Sequence, residues 1–318
     1  MEPEKIRLMK TSGKFLLVML LILMALNFAY LQLVFSRKNI QRNEIQFNQY
    51  YDENLRVIFF GDSIVAFAIN PAYINNSFNY AVQGETYDQT YYKLRKFAEK
   101  NNISAFVFPI NLHSFSDYRQ ADYSDALYWL NFMTVGELSK ETDKSLLDIY
   151  LGQYLPFLGR GEEFGKVLFN GENTYMFKGW QKKTGDFGAG GNKSKKAYER
   201  VESQLIGYPK AGSKLLDYFL KIVALANSTN KKIILMKYPA TEDYISAVST
   251  KINITKFYSL LNQSISKYNN IHFLDYQKFT NNSSLFNDPD HLNYLGAQVF
   301  SEQVNSDLKW VLDLEKNI

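Results

Sequence analysis

The 318-residue chain contains no cysteine. That absence excludes disulfides, thiolate nucleophiles, Cys-ligated zinc and a lipid carried on an N-terminal cysteine, and it leaves the redox compartment unread. Histidine is almost as scarce. The three present, His113, His272 and His291, show no metal-ligand spacing such as H-E-x-x-H, so neither a metal nor any other cofactor is expected. A concentrated basic surface is missing too. The formal charge of +4 arises in residues 1–42, where seven Lys and Arg face two Glu, and the rest of the chain holds 29 bases against 30 acids. A body so close to neutral lacks the basic face that nucleic-acid binding requires. What is present is a composition of 46% apolar and 21% charged residues, which supports a packed core and excludes wholesale disorder.

One long apolar run stands apart. Residues 15–35 are 21 consecutive uncharged positions; as a helix they would extend about 31 Å, the thickness of a hydrocarbon core. A cleaved signal peptide would have a shorter apolar core followed by a small-x-small site, and this stretch has neither. Four bases in the N-terminal segment 1–14 precede the run and Arg37, Lys38 and Arg42 follow it, so the positive-inside count favours an inside N-terminus by one charge. The expectation is a single anchor helix over 15–35, a polar stalk over 36–54 and an extracytoplasmic domain over 55–318.

Within that domain, short apolar runs alternate with amphipathic stretches. Residues 56–60, 78–82, 105–110, 232–236 and 271–274 read as strands, and residues 86–100, 213–226, 250–268 and 294–312 carry helical spacing. Strand-helix alternation predicts an α/β fold with a parallel sheet covered on both faces, and ligands in such sheets sit beyond the carboxyl ends of the strands. The alternation lapses over about 112–210. This insertion is dense in aromatics and then rich in glycine, and two readings stay open: a cap or binding surface over the active edge, or a packed helical outgrowth with a loose loop. Its run GAGGNKS, at 188–194, lacks the glycine before lysine and the preceding strand of a phosphate-binding loop.

Four strand ends carry groups suited to acyl chemistry. Ser63 follows the first strand directly in FFGDSIV, where its hydroxyl can stand at the sheet rim over a helix N-terminus; an N-capping turn serine is the bland alternative. Gly84 follows the second strand, and a residue without a side chain there lets its N–H face a bound oxygen. Asn111 follows the third and offers a side-chain amide as a second donor. Asp288 and His291 lie three apart in NDPDHLNYLGA, just before the last helix. A neutral imidazole can take the serine proton while a carboxylate holds its tautomer. Asp290 is the alternative orienting acid, although adjacent side chains diverge and Asp288 is favoured. His113 is a candidate substrate contact or an ordinary loop residue, and His272 alternates within a strand.

These residues resemble, in order, the blocks of the SGNH (GDSL-like) hydrolase family. The matching pieces are Gly61-Asp62-Ser63, Gly84, Asn111, and Asp288-x-x-His291 continuing as His291-Leu-Asn-x-x-Gly-Ala, over residues 56–312. Block three departs from the family's Gly-x-Asn-Asp, reading Pro109-Ile-Asn111-Leu112. The resemblance implies a three-layer αβα, flavodoxin-like sheet with Ser63, His291 and Asp288 as catalytic triad. It also implies an oxyanion hole made by the backbone N–H groups of Ser63 and Gly84 and the side chain of Asn111. An N-terminal anchor ahead of such a domain is similar to proteins that O-acylate cell-surface polysaccharides, with a multispan membrane acyltransferase as an expected donor-side partner. Two functions follow: a membrane-anchored serine esterase or O-acyltransferase acting on acyl esters of cell-surface glycans, or a non-catalytic glycan-binding or assembly factor using the same pocket. The complete Ser63, His291 and Asp288 set favours the enzyme, since a binding module needs no such set.

Overall fold

The computed structural model describes residues 3–118, 120–158, 160, 162–163, 175–206 and 213–313. The chain forms two compact units, Met1–Arg42 with Tyr123–Asn173, and Asn43–Asp122 with Thr174–Ile318.

In chain order the strands are β1 (Val57–Phe59), β2 (Ser77–Asn79), β3 (Ala105–Pro109), β4 (Met176–Phe177), β5 (Trp180–Gln181), β6 (Lys232–Lys237), β7 (Ile271–Asp275), β8 (Phe286–Asp288) and β9 (His291–Leu292). The larger unit is built on a five-stranded parallel sheet in the order β2-β1-β3-β6-β7, with Ile58 level with Phe78 on one side and Phe106 on the other. Strands β1, β3 and β6 read as near-continuous apolar runs because helices cover both faces, and all but the last residue of β6 are buried. Strand β7 is an edge of the sheet, none of its residues is fully buried, and Phe273 stays 48% exposed.

Helix α1 (Pro3–Leu33) and helix α2 (Asn39–Tyr50) precede the sheet; α3 (Ser63–Ala68) and α4 (Tyr87–Ala98) follow β1 and β2. The remaining helices are α5 (Ala126–Trp129), α6 (Val135–Thr142), α7 (Leu146–Tyr154), α8 (Lys193–Gln204), α9 (Lys214–Ser228), α10 (Glu242–Ser249), α11 (Ile254–Ile265) and α12 (Tyr294–Asp313). One sheet face buries α3 and, from α12, Phe300, Val304, Leu308 and Val311 against Val57, Val107, Ile234 and Met236. On the other, Phe97 of α4 packs with Phe60 and Tyr80.

Two sequence expectations change. The stretch read as a stalk contains α2. From Asn43 onward α2 belongs to the larger unit, with Phe47 meeting Phe78, Tyr80 and Phe97 edge to face at ring distances of 4.9 to 5.3 Å. A single apolar side chain among polar neighbours achieves this, and for that reason the stretch reads as solvated. The insertion is also divided. Its helices α5 to α7 lie in the unit containing α1, whereas β4, β5 and α8 lie in the sheet-bearing unit. Helix α10, missed by periodicity, is capped at its N-terminus by Thr241, whose hydroxyl accepts from the Tyr244 N–H.

In the smaller unit, 11–37 is the one stretch among the described residues long and apolar enough to cross a membrane. Its apolar side chains are outward-facing between Phe15 and Phe28, whereas Tyr30, Val34 and Phe35 are buried.

Candidate active site

The order β2-β1-β3 makes the chain leave β1 toward opposite sides of the sheet, and this switch point opens a crevice at the carboxyl ends of β1 and β3. The Gly-Asp-Ser turn lies there. Gly61 has φ +139°, and a Cβ on it would come within 2.7 to 2.9 Å of Val65 Cγ2 and the Pro109 ring, so the turn admits only glycine. Asp62 caps α3 by accepting the Ile64 N–H at 3.0 Å. Ser63 becomes the first helical residue. Asn79, at the end of β2, donates to the Val65 and Ile69 carbonyls and holds the short helix from behind.

The candidate base, His291, arrives on the β8–β9 hairpin, where it pairs with Asp288. Asp288 Oδ1 accepts the backbone N–H of His291 at 3.1 Å, closing the turn between them. Asn293 locks the hairpin to α12: its amide donates to the Ser284 and Gly185 carbonyls, and its Oδ1 accepts from Leu295 and Gly296. A Cβ at Gly296 would stand 2.1 Å from the Leu285 carbonyl oxygen. The run from His291 to Gly296 is therefore a device for holding one imidazole against one helix N-terminus.

With both devices in place, Ser63 Oγ lies 2.9 Å from His291 Nε2, and His291 Nδ1 lies 2.9 Å from each carboxylate oxygen of Asp288. Ser63 and His291 are 7% and 5% exposed, and Phe67 packs edge to face on the imidazole. Nδ1–H directed at Asp288 leaves the Nε2 lone pair facing the serine. Asp290 lies farther from Nδ1, at 3.7 Å, and its oxygens are engaged by Arg200 Nε at 2.8 Å and Gln204 Nε2 at 2.7 Å, with Tyr244 hydroxyl bracing Gln204. Burial pulls the His291 pKa down, but the Asp290 charge and the hydrogen bond and charge of Asp288 outweigh it, so the imidazole titrates above its ordinary value; Arg200 opposes that rise. Burial pushes the Asp288 carboxyl up, and its hydrogen bond to His291 with the charges of His291 and Arg200 more than offsets this, leaving it below the usual carboxylate range.

Asp288, Asp290 and His291 offer three ligand atoms within 4.8 Å of one another, a group that could hold a cation. The Arg200 guanidinium already neutralises Asp290, and a metal ion would have to displace it.

The other sequence candidates are placed as follows. Gly84 has φ +78°, and a Cβ there would meet nothing within 4 Å, so its backbone borders open space. Asn111 begins the 3₁₀ turn after β3; its Oδ1 accepts the Tyr238 N–H at 3.0 Å and its amide nitrogen is 3.4 Å from the Tyr238 carbonyl, which ties its side chain to the end of β6. His113, which the sequence leaves as either a substrate contact or an ordinary loop residue, is 2% exposed, with Nε2 2.9 Å from Asp62 Oδ2. Burial follows from the loop turning inward after Asn111, where Leu112, His113 and Phe115 are all buried. Sequence reasoning missed Arg200, which lies in the insertion 90 residues from Asp290, and no local pattern marks it. It also gave Asp62 no role of its own, although Asp62 occupies the N-cap position that Gly-Asp-Ser suggests.

No protein-family model matches the chain, and no curated protein matches it. Among solved structures it is similar to a candidate platelet activating factor from Streptococcus pneumonia, at 12% identity and TM-score 0.39 over 90% of this chain and 98% of that one. It is also similar to a candidate acylhydrolase from Bacteroides fragilis, at 15% identity and TM-score 0.38 over 86% and 96%. At such values the likeness carries no chemistry; the α/β class rests on this chain's own parallel sheet and its flanking helices.

Proposed function

We propose that the chain is a serine esterase or O-acyltransferase of the SGNH type, anchored in a membrane by α1 and acting outside the cytoplasm on acyl esters of cell-surface glycans. The observation that carries this reading is the unbroken relay from Ser63 Oγ through His291 to Asp288, with both links at 2.9 Å. His291 Nε2 takes the Ser63 proton as Oγ attacks an ester carbonyl, and Asp288 stabilises the resulting imidazolium. The carbonyl oxygen gains charge at the N-terminus of α3, where the Ser63 N–H, the Gly84 N–H and one N–H of the Asn111 amide are the candidate donors, each such donor typically worth about 3 to 4 kcal/mol. The alcohol leaves with the proton from His291. Water or a sugar hydroxyl, deprotonated by the same imidazole, then discharges the acyl-serine, giving hydrolysis or transfer. Tyr294, 38% exposed and three residues beyond His291, offers an aromatic face of the kind that stacks on sugar rings.

A fluorophosphonate probe applied to the full chain in detergent tests the nucleophile. Labelling of wild type at Ser63, lost in Ser63→Ala at unchanged melting temperature, is the expected result. A folded wild-type chain that takes up no label would overturn the reading in favour of a non-catalytic glycan-binding scaffold.

A further inference from the structure

Helix α7 turns its apolar side outward. Leu146, Leu147, Tyr150, Leu151 and Tyr154 are 39 to 67% exposed, whereas Ile149 is fully buried. From Leu146 to Leu158 the sequence carries one charge, Asp148. In a unit surrounded by water this face would cost free energy with nothing covering it.

Its placement within the smaller unit indicates what covers it. The Asn27 side chain, inside the uncharged run of α1, donates to the Tyr154 carbonyl at 3.1 Å, so the C-terminal end of α7 is level with residue 27 of the anchor helix. Three residues farther along α1, a polar cluster begins: the Tyr30 hydroxyl donates to Glu163 at 2.8 Å, Lys38 bridges Asp125 and Glu163 at 2.9 Å, and Arg160 joins both acids. Partly buried, mutually paired charges of this kind belong outside the hydrocarbon, which puts the polar boundary close to Tyr30. Three residues of α-helix are about 4.5 Å, so α7 ends just below that boundary. Helices lying in a membrane surface sink their apolar face about 5 to 10 Å into the headgroup and acyl border, which matches this depth.

We infer that α7 is a second membrane contact, a helix lying in the bilayer surface beside α1 with Leu147, Leu151 and Tyr154 among the lipid. The occupant is the bilayer on which α1 sits, and the inference rests on the reading of α1 as an anchor. Asn27 and Tyr154 link the two helices, and the anchored unit is thereby held in one orientation about the α1 axis, which a lone spanning helix leaves free.

The chain's lack of cysteine makes the test direct. Single variants Leu147→Cys, Leu20→Cys and Lys256→Cys, each carrying an environment-sensitive fluorophore, are reconstituted as full chains into phosphatidylcholine vesicles with nitroxide lipids bearing the quencher near the glycerol end. Residue 147 is expected to be quenched about fivefold more than the exposed α11 site at 256, and residue 20 to respond to a deep quencher, as an interfacial helix and a span should. Quenching at 20 without quenching at 147 overturns the inference while the anchor stands. Absence of both overturns the anchor reading with it. A label at 147 that aqueous iodide cannot reach and lipid does not quench identifies a second copy or another protein as the cover, and equally overturns the bilayer.

Discussion

The Asp290–Arg200 pair beside the His291 imidazole yields a quantitative prediction. Asp290 Oδ1 and Arg200 Nη2 stand 3.7 and 3.5 Å from His291 Nδ1, with opposite charges. At an effective dielectric constant of about 20 each would change the energy of the imidazolium by about 4 to 5 kcal/mol, in opposite directions, so that each offsets part of the other. Asp290→Asn leaves the guanidinium unopposed. Because the Arg200 side chain is 33% exposed, solvent screening reduces its repulsion to about 2 kcal/mol. That predicts roughly a 30-fold loss in kcat/KM at the pH plateau and an acid limb displaced to lower pH, since a nearby cation favours neutral imidazole. Arg200→Gln moves the limb the other way, and the double variant Asp290→Asn/Arg200→Gln recovers most of the loss. The assay is kcat/KM against pH with an aryl acetate for the four proteins. Additive losses in the double variant would refute charge cancellation. A larger loss in Asp290→Asn than in Asp288→Asn would make Asp290 the orienting acid.

Other outcomes follow from the same geometry. Asp288→Asn should lower kcat by about 10⁴ with little change in stability, because the amide presents the wrong tautomer to His291; stopped assays on purified protein decide it. In wild type the acid limb of kcat/KM should lie above the pH expected of an ordinary histidine, since His291 must lose its proton to act as a base and its pKa is raised; a limb at or below the ordinary value contradicts the carboxylate cage. His113→Leu deprives buried Asp62 of a partner and should cost about 1 to 3 kcal/mol in denaturant unfolding; an unchanged midpoint would show that the pair does not support the Gly-Asp-Ser turn. Removing 1–42 takes Lys38 from Asp125 and Glu163, so residues 123–173 in the remaining fragment should become the first site of limited proteolysis.

Much of the molecule is legible in one dimension, where the determining interactions are local. An uncharged run of 21 residues is long enough to span a bilayer whatever surrounds it. The buried parallel strands show as apolar runs because both faces are covered. Gly-Asp-Ser and His-Leu-Asn-x-x-Gly-Ala are legible because a positive φ, an N-cap and a close backbone approach each demand one residue type at one spacing. Tertiary structure alone decided the rest. Phe47 joins the core through an aromatic cluster assembled from β2 and α4, so its polar neighbours conceal α2. Arg200 reaches Asp290 across 90 residues, because folding the second half of the insertion onto the sheet-bearing unit creates a buried carboxylate that needs a cation. His113 was placed by a loop turning inward toward Asp62. The shift from an aromatic-dense to a glycine-rich stretch does not mark where the insertion divides, one half beside α1 and the other beside the site, since both halves bury aromatics and only the surfaces they meet differ.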